Sequence, residues 1–291
     1  SKALALGTGN ATGNLILYSK GAITQTGPLT VGGESNLQGT AITLSNDGNS
    51  FSQKVSFTGA DVSLASSKAL ILGDGKATGN LGLKSGGAIS QIGLLTVGGK
   101  ASLTGTTITL AGQENDFAGI VSFTGTNVSL VNTKPLALGN GKATGNLSLK
   151  SDGAITQTGP VTVTGTSLLV GATITLADPK NALMGKVNHE AKGDVTLANS
   201  QALVLGPARA GGKLAITATG QIRQQGDLES MAGTLLTGSD ILFESGSLKV
   251  GGDLVAKANG LTVSPVLPFL VGRFTVPGNI TADSPGKWAV G

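Results

Sequence analysis

The chain has no cysteine, which excludes disulfide frameworks, thiolate metal sites and thiol nucleophiles. It leaves the compartment open, since an exported chain that crosses membranes unfolded also does well without thiols that could pair early. Charge is scarce: 12% of residues are Asp, Glu, Lys or Arg, about half the usual share. The formal charge of +4 carries little weight, because arginine is confined to Arg209, Arg223 and Arg273 and the lysines are spread singly. Nucleic-acid binders cluster their basic residues and add aromatic contacts, so no nucleic-acid partner is expected. Aromatics amount to 3% and histidine to one, His189; one imidazole supports no metal cluster. No apolar run approaches the length of a membrane span, so no membrane insertion is expected. Apolar residues nowhere recur at i, i+3, i+4 and i+7 between helix formers, which argues against helices. The start, Ser1-Lys2-Ala3, has neither an initiator Met nor a signal-peptide pattern and opens in mid-repeat, as an internal piece of something longer would.

Glycine is abundant, at 47 residues, and one phrase returns. GAITQTGPLTV at Gly21 recurs as GAISQIGLLTV at Gly87 and, after an identical step, as GAITQTGPVTV at Gly153. A worn GQIRQQGDL begins at Gly220, one place later than a further such step would put it. A fixed period of roughly 66 residues marks a repeat architecture. Aliphatic positions keep register across the copies: Leu15, Leu81, Leu147 and Leu214; Ile42, Ile108, Ile174 and Ile241; Phe51, Phe117, Leu183 and Val250; Val55, Val121, Val187 and Leu254. The one-place slip falls where FTGADVSL and FTGTNVSL become HEAKGDVTL at His189. A surface turn is expected there, because turns absorb length changes and strands do not.

Within a period, AITL, VSFTG, DVSL and LTVGG alternate apolar with small polar residues and are punctuated by Gly, Asn, Asp and Ser. That pattern predicts short strands. The expected fold is all-β: a right-handed parallel β-helix (β-solenoid) with about three coils of roughly 22 residues per 66-residue repeat. Repeats are expected at about 2–67, 68–133 and 134–200, with a degenerate copy at 201–263. One coil turns five or six aliphatics inward, worth about 1.5–3 kcal/mol each. Ordering its residues costs about 1.5 kcal/mol apiece, so a coil holds only when stacked on others. From Ser264 the pattern dissolves among Pro265, Pro268, Pro277 and Pro285, with Phe269, Phe274 and Trp288. Proline cannot donate to a central ladder, so 264–291 is expected to cap the stack or lead into another module.

GNLSLKSDGAITQTGPVTV, TITLAGQENDFAGIVSFTGTNVSL and KALILGDGKATGN resemble the haemagglutinin-type exoproteins of Gram-negative bacteria. These are the filamentous haemagglutinin-like products of two-partner secretion, which include large adhesins and contact-dependent inhibition proteins. The resemblance covers residues 1 to about 263 and lies in the repeat grammar. It implies an exported, surface-located β-helical shaft that presents a binding tip or toxin away from the cell. It also implies an outer-membrane transporter during secretion and a receptor or glycan on a host or neighbouring cell as partner. The family's secretion domain is not found in this stretch.

Signals for chemistry are few. GTGNATGN at Gly7, GDGKATGN at Gly73 and GNGKATGN at Gly139 fit neither the phosphate loop nor the dinucleotide fingerprint; they read as solenoid corners. Gln25, Gln91, Gln157 and Gln224 hold one place in all four copies. Copies lie too far apart to touch, so these read as local hydrogen-bonders. His189 replaces Phe57 and Phe123 in register, with Glu190 and Asp194 near in sequence and no nucleophile marked. The acidic residues fall mostly in turns, as Asp47, Asp61, Asp74, Glu114 and Asp116 do. The paired carboxylates of a polysaccharide-acting enzyme are therefore not apparent. The sequons at Asn10, Asn127, Asn146 and Asn279 are what chance gives in a Ser/Thr-rich chain. Thr107-Ile108-Thr109 and Thr173-Ile174-Thr175 stand a period apart, so no flat threonine array is expected. No catalytic, cofactor-binding or metal-binding residue is assigned, no cofactor is expected, and the chain is expected not to be an enzyme. A polysaccharide-acting β-helix enzyme and a self-associating extracellular matrix protein are the competing readings.

Overall fold

The computed structural model describes residues 2–263, 269–275 and 279–282. The chain divides into two compact units, Ser1–Ala143 and Thr144–Gly291. Each is a parallel β-solenoid, and the described residues contain strands and turns but no helix.

In the first unit, Leu15–Tyr18, Ile23–Gln25 and Leu29–Val31 make one coil, and Ser35–Gln38, Ile42–Leu44 and Ser50–Phe51 make the next. Each strand pairs in parallel with the corresponding strand of its neighbour, with Leu15 opposite Ser35, Ile23 opposite Ile42 and Val31 opposite Phe51. Alternation decides the faces: in Ile42–Leu44 the aliphatics are buried and Thr43 is exposed. Because neighbouring coils are in register, inward residues stack in columns. Leu4, Ile23, Ile42, Val62, Leu81, Ala101 and Val121 form one such column. From Ile23 onward each of these is at most 2% exposed. The backbone N–H and C=O groups that one coil cannot satisfy alone are bonded to the coils before and after.

Every step along that column is shorter than the coil of roughly 22 residues expected from dividing the period by three. The column through Leu15, Ser35 and Val55 reaches Leu72 in three steps. Leu81, the repeat counterpart of Leu15, pairs instead with Val62. One period thus winds through more than three coils, and homologous residues shift to another column. The ladder requires strand against strand and does not require a residue to lie on its own homologue.

The glycine-rich phrases are the second departure. Gly73, Gly75, Gly139 and Gly141 do not turn corners; they lie inside the eight-residue strands Leu70–Ala77 and Leu136–Ala143. Leu70–Ala77 pairs on one side with Val55–Gly59, with a register shift between Leu72 and Gly75, and on the other with both Ile89–Gln91 and Leu95–Val97. This bulge lets one strand carry two. A Cβ on Gly75 would lie 2.4 Å from the ring of Phe57, and one on Gly141 2.5 Å from that of Phe123, so glycine there makes room for the stacked aromatic.

In the second unit, Leu149, Leu169 and His189 form one column and Ile155, Ile174, Val195, Leu214, Thr234 and Leu254 another. The extra residue of the third repeat falls where expected, in the turn between Lys186–Ala191 and Val195–Asn199. Parallel pairing is also found beyond residue 263: Phe269–Thr275 pairs with Leu248–Lys257, and Asn279–Ala282 with Gly260–Val263. Pro265, Pro268, Pro277, Pro285 and Trp288 lie outside the described residues.

Candidate functional site

Glutamines at the repeated position are held by local bonds. Gln25 Nε2 donates to the carbonyl of Gly27 (2.6 Å) and to Asn49 Oδ1 (2.8 Å), while Asn49 Nδ2 donates back to Gln25 Oε1 (2.8 Å). Asn49 Oδ1 also accepts from the Leu29 N–H, and its Nδ2 donates to the Leu44 carbonyl. Gln91 with Asn115 and Gln157 with Asn181 repeat the arrangement. The three asparagines are fully buried, and each amide pair knits a coil to its neighbour. Sequence reasoning singled out the glutamines and missed the asparagines, although each follows its glutamine at the same fixed distance along the chain. In the worn copy Leu248 takes the asparagine's place. There the Leu228 N–H bonds the Ser247 carbonyl directly, and Gln224 Oε1 is left buried without a partner.

A second buried amide stands in for a strand. Asn132 Oδ1 accepts from the Phe117 N–H (2.7 Å) and its Nδ2 donates to the Phe117 carbonyl (3.2 Å). Asn199 does the same for Leu183. Asn14, Asp61, Asn80, Asn146 and Asp194 at the corners, and Asp74 within the strand Leu70–Ala77, each use Oδ1 to accept a backbone N–H from the next coil. Asp61 and Asp194 are thereby tied into turns and Asp74 into its strand, and Asn146 of the third sequon is engaged in the same way.

His189 is 3% exposed, in the column between Leu169 and Ala208. Its Nδ1 lies 3.3 Å from the Arg209 carbonyl and its Nε2 has no partner. Burial lowers its pKa to about 4. Glu190, although adjacent, faces outward.

On the second unit's surface Glu190, Arg209, Glu229 and Lys249 lie opposite one another on successive coils. Glu229 binds both cations, at 3.1 Å to Arg209 Nε and 2.8 Å to Lys249 Nζ, and the hydrogen bond from Lys249 chiefly lowers its pKa. Gln225 and then Arg223 lower that of Glu244, and Ser247 that of Asp227. Beside this row a shallow recess is lined by Lys150, Asp152, Glu190, Lys192 and Arg209. On the first unit Thr24, Thr43 and Ser63 fall on consecutive coils, then Gly82 interrupts them. This hydroxyl row runs from coil to coil but is short.

Among the described residues no group of three or more His, Asp or Glu could hold a metal ion, and no helix is long and apolar enough to cross a membrane. No curated protein and no solved structure matches the chain. One family does, over residues 1–58, 59–124, 125–190 and 192–245, with the same spacing read from the glutamine phrase but a different starting point. The chain belongs to that family, the repeats of unknown function (DUF5649).

Proposed function

We propose that this chain is a structural, presentational segment of a large secreted bacterial surface adhesin, which displays a binding tip or toxin away from the cell. The observation that carries the reading is where the polar groups go. The repeated Gln25–Asn49 type of pair, the strand-replacing Asn132 and Asn199 and the corner Asn and Asp side chains all bond coil to coil. A scaffold spends its polar side chains in this way, whereas an enzyme leaves converging ones for a substrate. The resemblance of the repeat phrases to haemagglutinin-type exoproteins supports the secreted setting and, with it, an outer-membrane transporter and a receptor or glycan on another cell. The charged recess at Lys150, Asp152, Glu190, Lys192 and Arg209 is a place that favours a polysaccharide contact.

Antibody labelling of intact cells of the source organism, together with incubation of the purified chain with uronic-acid polymers, tests this reading. Surface labelling that is lost on external protease treatment, with polymer length unchanged, is the expected result. Labelling only after permeabilisation, or depolymerisation that is abolished by Asp152→Asn or Glu190→Gln, overturns it.

A further inference from the structure

His189 takes a place that two earlier repeats give to phenylalanine, and the substitution is matched across the ladder. Phe57 pairs with Gly75 and Phe123 with Gly141, whereas His189 pairs with Ala208. A carbonyl can only accept, so the neutral ring carries its proton on Nδ1, directed to the Arg209 oxygen. That leaves Nε2 as a bare lone pair inside the core. Ser167, Leu169 and Gly171 face the ring's side of the core from the preceding coil, and Leu205, Ala208 and Ala210 from the following one. Val187 on its own strand and Leu183, Val195 and Leu197 elsewhere in the coil complete the surroundings. None of these titrates. The charged groups on the same strands, Lys186, Glu190 and Arg209, are directed outward.

We propose that His189 is an acid-sensitive weak point: uptake of a proton at Nε2 puts a cation, whose new N–H has no acceptor, into an aliphatic column, and the coil around residues 187–210 opens in mild acid. The proton comes from solvent during transient opening and traps the open form. The sign follows from linkage. The ring titrates near 6.5 when exposed and near 4 in the folded unit, so the open form binds more protons between those values and stability falls as pH drops through that window. Asp227, Glu229 and Glu244 have values lowered from 3.8, 4.5 and 4.5, so their contribution is lost as pH falls from those unfolded values through the folded ones, below the upper part of the His189 window.

Hydrogen exchange of the whole chain at pH 7.5 and 5.0, corrected for intrinsic rates, tests this. The opening constant of amides 187–210 is expected to rise about thirtyfold at pH 5.0, while amides of the first unit keep theirs. The double variant His189→Phe/Ala208→Gly, which restores the pairing of the earlier repeats, and the single variant His189→Leu are expected to lose the rise. A wild-type change below about threefold overturns the proposal, as does an equal rise in either variant. The wild-type measurement decides even where a variant fails to fold.

Discussion

At the scale of single residues, the core of each unit is specified by what alternates inward, and it tolerates little polarity. Most buried polar side chains are fully engaged, as Asn49, Asn115 and Asn181 are. Ser35, Ser167 and Thr234 are not. They hold the same place in three repeats, are at most 2% exposed, and their hydroxyls have no partner. The second repeat has Ala101 there. A buried hydroxyl without a partner costs about 1–3 kcal/mol, against a small loss of packing. Ser35→Ala and Ser167→Ala are accordingly expected to leave stability unchanged or raise it by up to about 1 kcal/mol, as measured by denaturant midpoint at unchanged slope. Asn115→Ala offers the contrast, because it strips partners from the Leu95 N–H, the Leu110 carbonyl and Gln91 together.

At the scale of the element, strands here are two to ten residues long, and several are too short to hold by their own ladder. Asp116–Phe117 is one of these. It is bonded by Thr96–Val97 on one side and by the Asn132 amide on the other. Asn132→Ala leaves both backbone groups of Phe117 unpaired in the interior, at a cost of about 3 kcal/mol. Faster exchange of the Phe117 amide is the specific sign, and unchanged exchange there would show that the side chain does not replace a strand. Serine, which the first repeat carries at position 66, is too short to reach both groups. By comparison, the exposed row Glu190, Arg209, Glu229 and Lys249 contributes little, since such pairs are worth about 0–1 kcal/mol and weaken with salt.

At the scale of the molecule, each coil contacts only its neighbours, so length is negotiable in units of one coil. In the second repeat that unit starts at Leu81 and ends just before Ala101, the residue that lies opposite Leu81 on the next coil. Deleting 81–100 brings Ala101 against Val62, the partner that Leu81 had, with aliphatic still facing aliphatic. Deleting 81–102 instead, which matches the coil length obtained by dividing the period by three, also removes Ala101 and Ser102 from the strand Ala101–Thr104 and leaves only its second half to pair with Val62–Ser66. The first deletion is expected to keep the β-sheet circular dichroism and a cooperative melt, with the second losing cooperativity. Equal behaviour of the two would show that coil register is not what holds the unit.

The sequence by itself determined the all-β solenoid, the period, the buried sets such as Ile42, Ile108, Ile174 and Ile241, and the surface turn that absorbs the inserted residue. These follow from alternation and repetition, which are local properties of the chain. Only the tertiary structure decided how many residues close a coil, that Gly75 and Gly141 lie within strands beneath aromatic rings, and that Gln25 reaches Asn49 across coils. Those facts depend on which residues meet after the chain has gone once around. That step is set by the hydrogen-bond ladder between coils and is not written into the period.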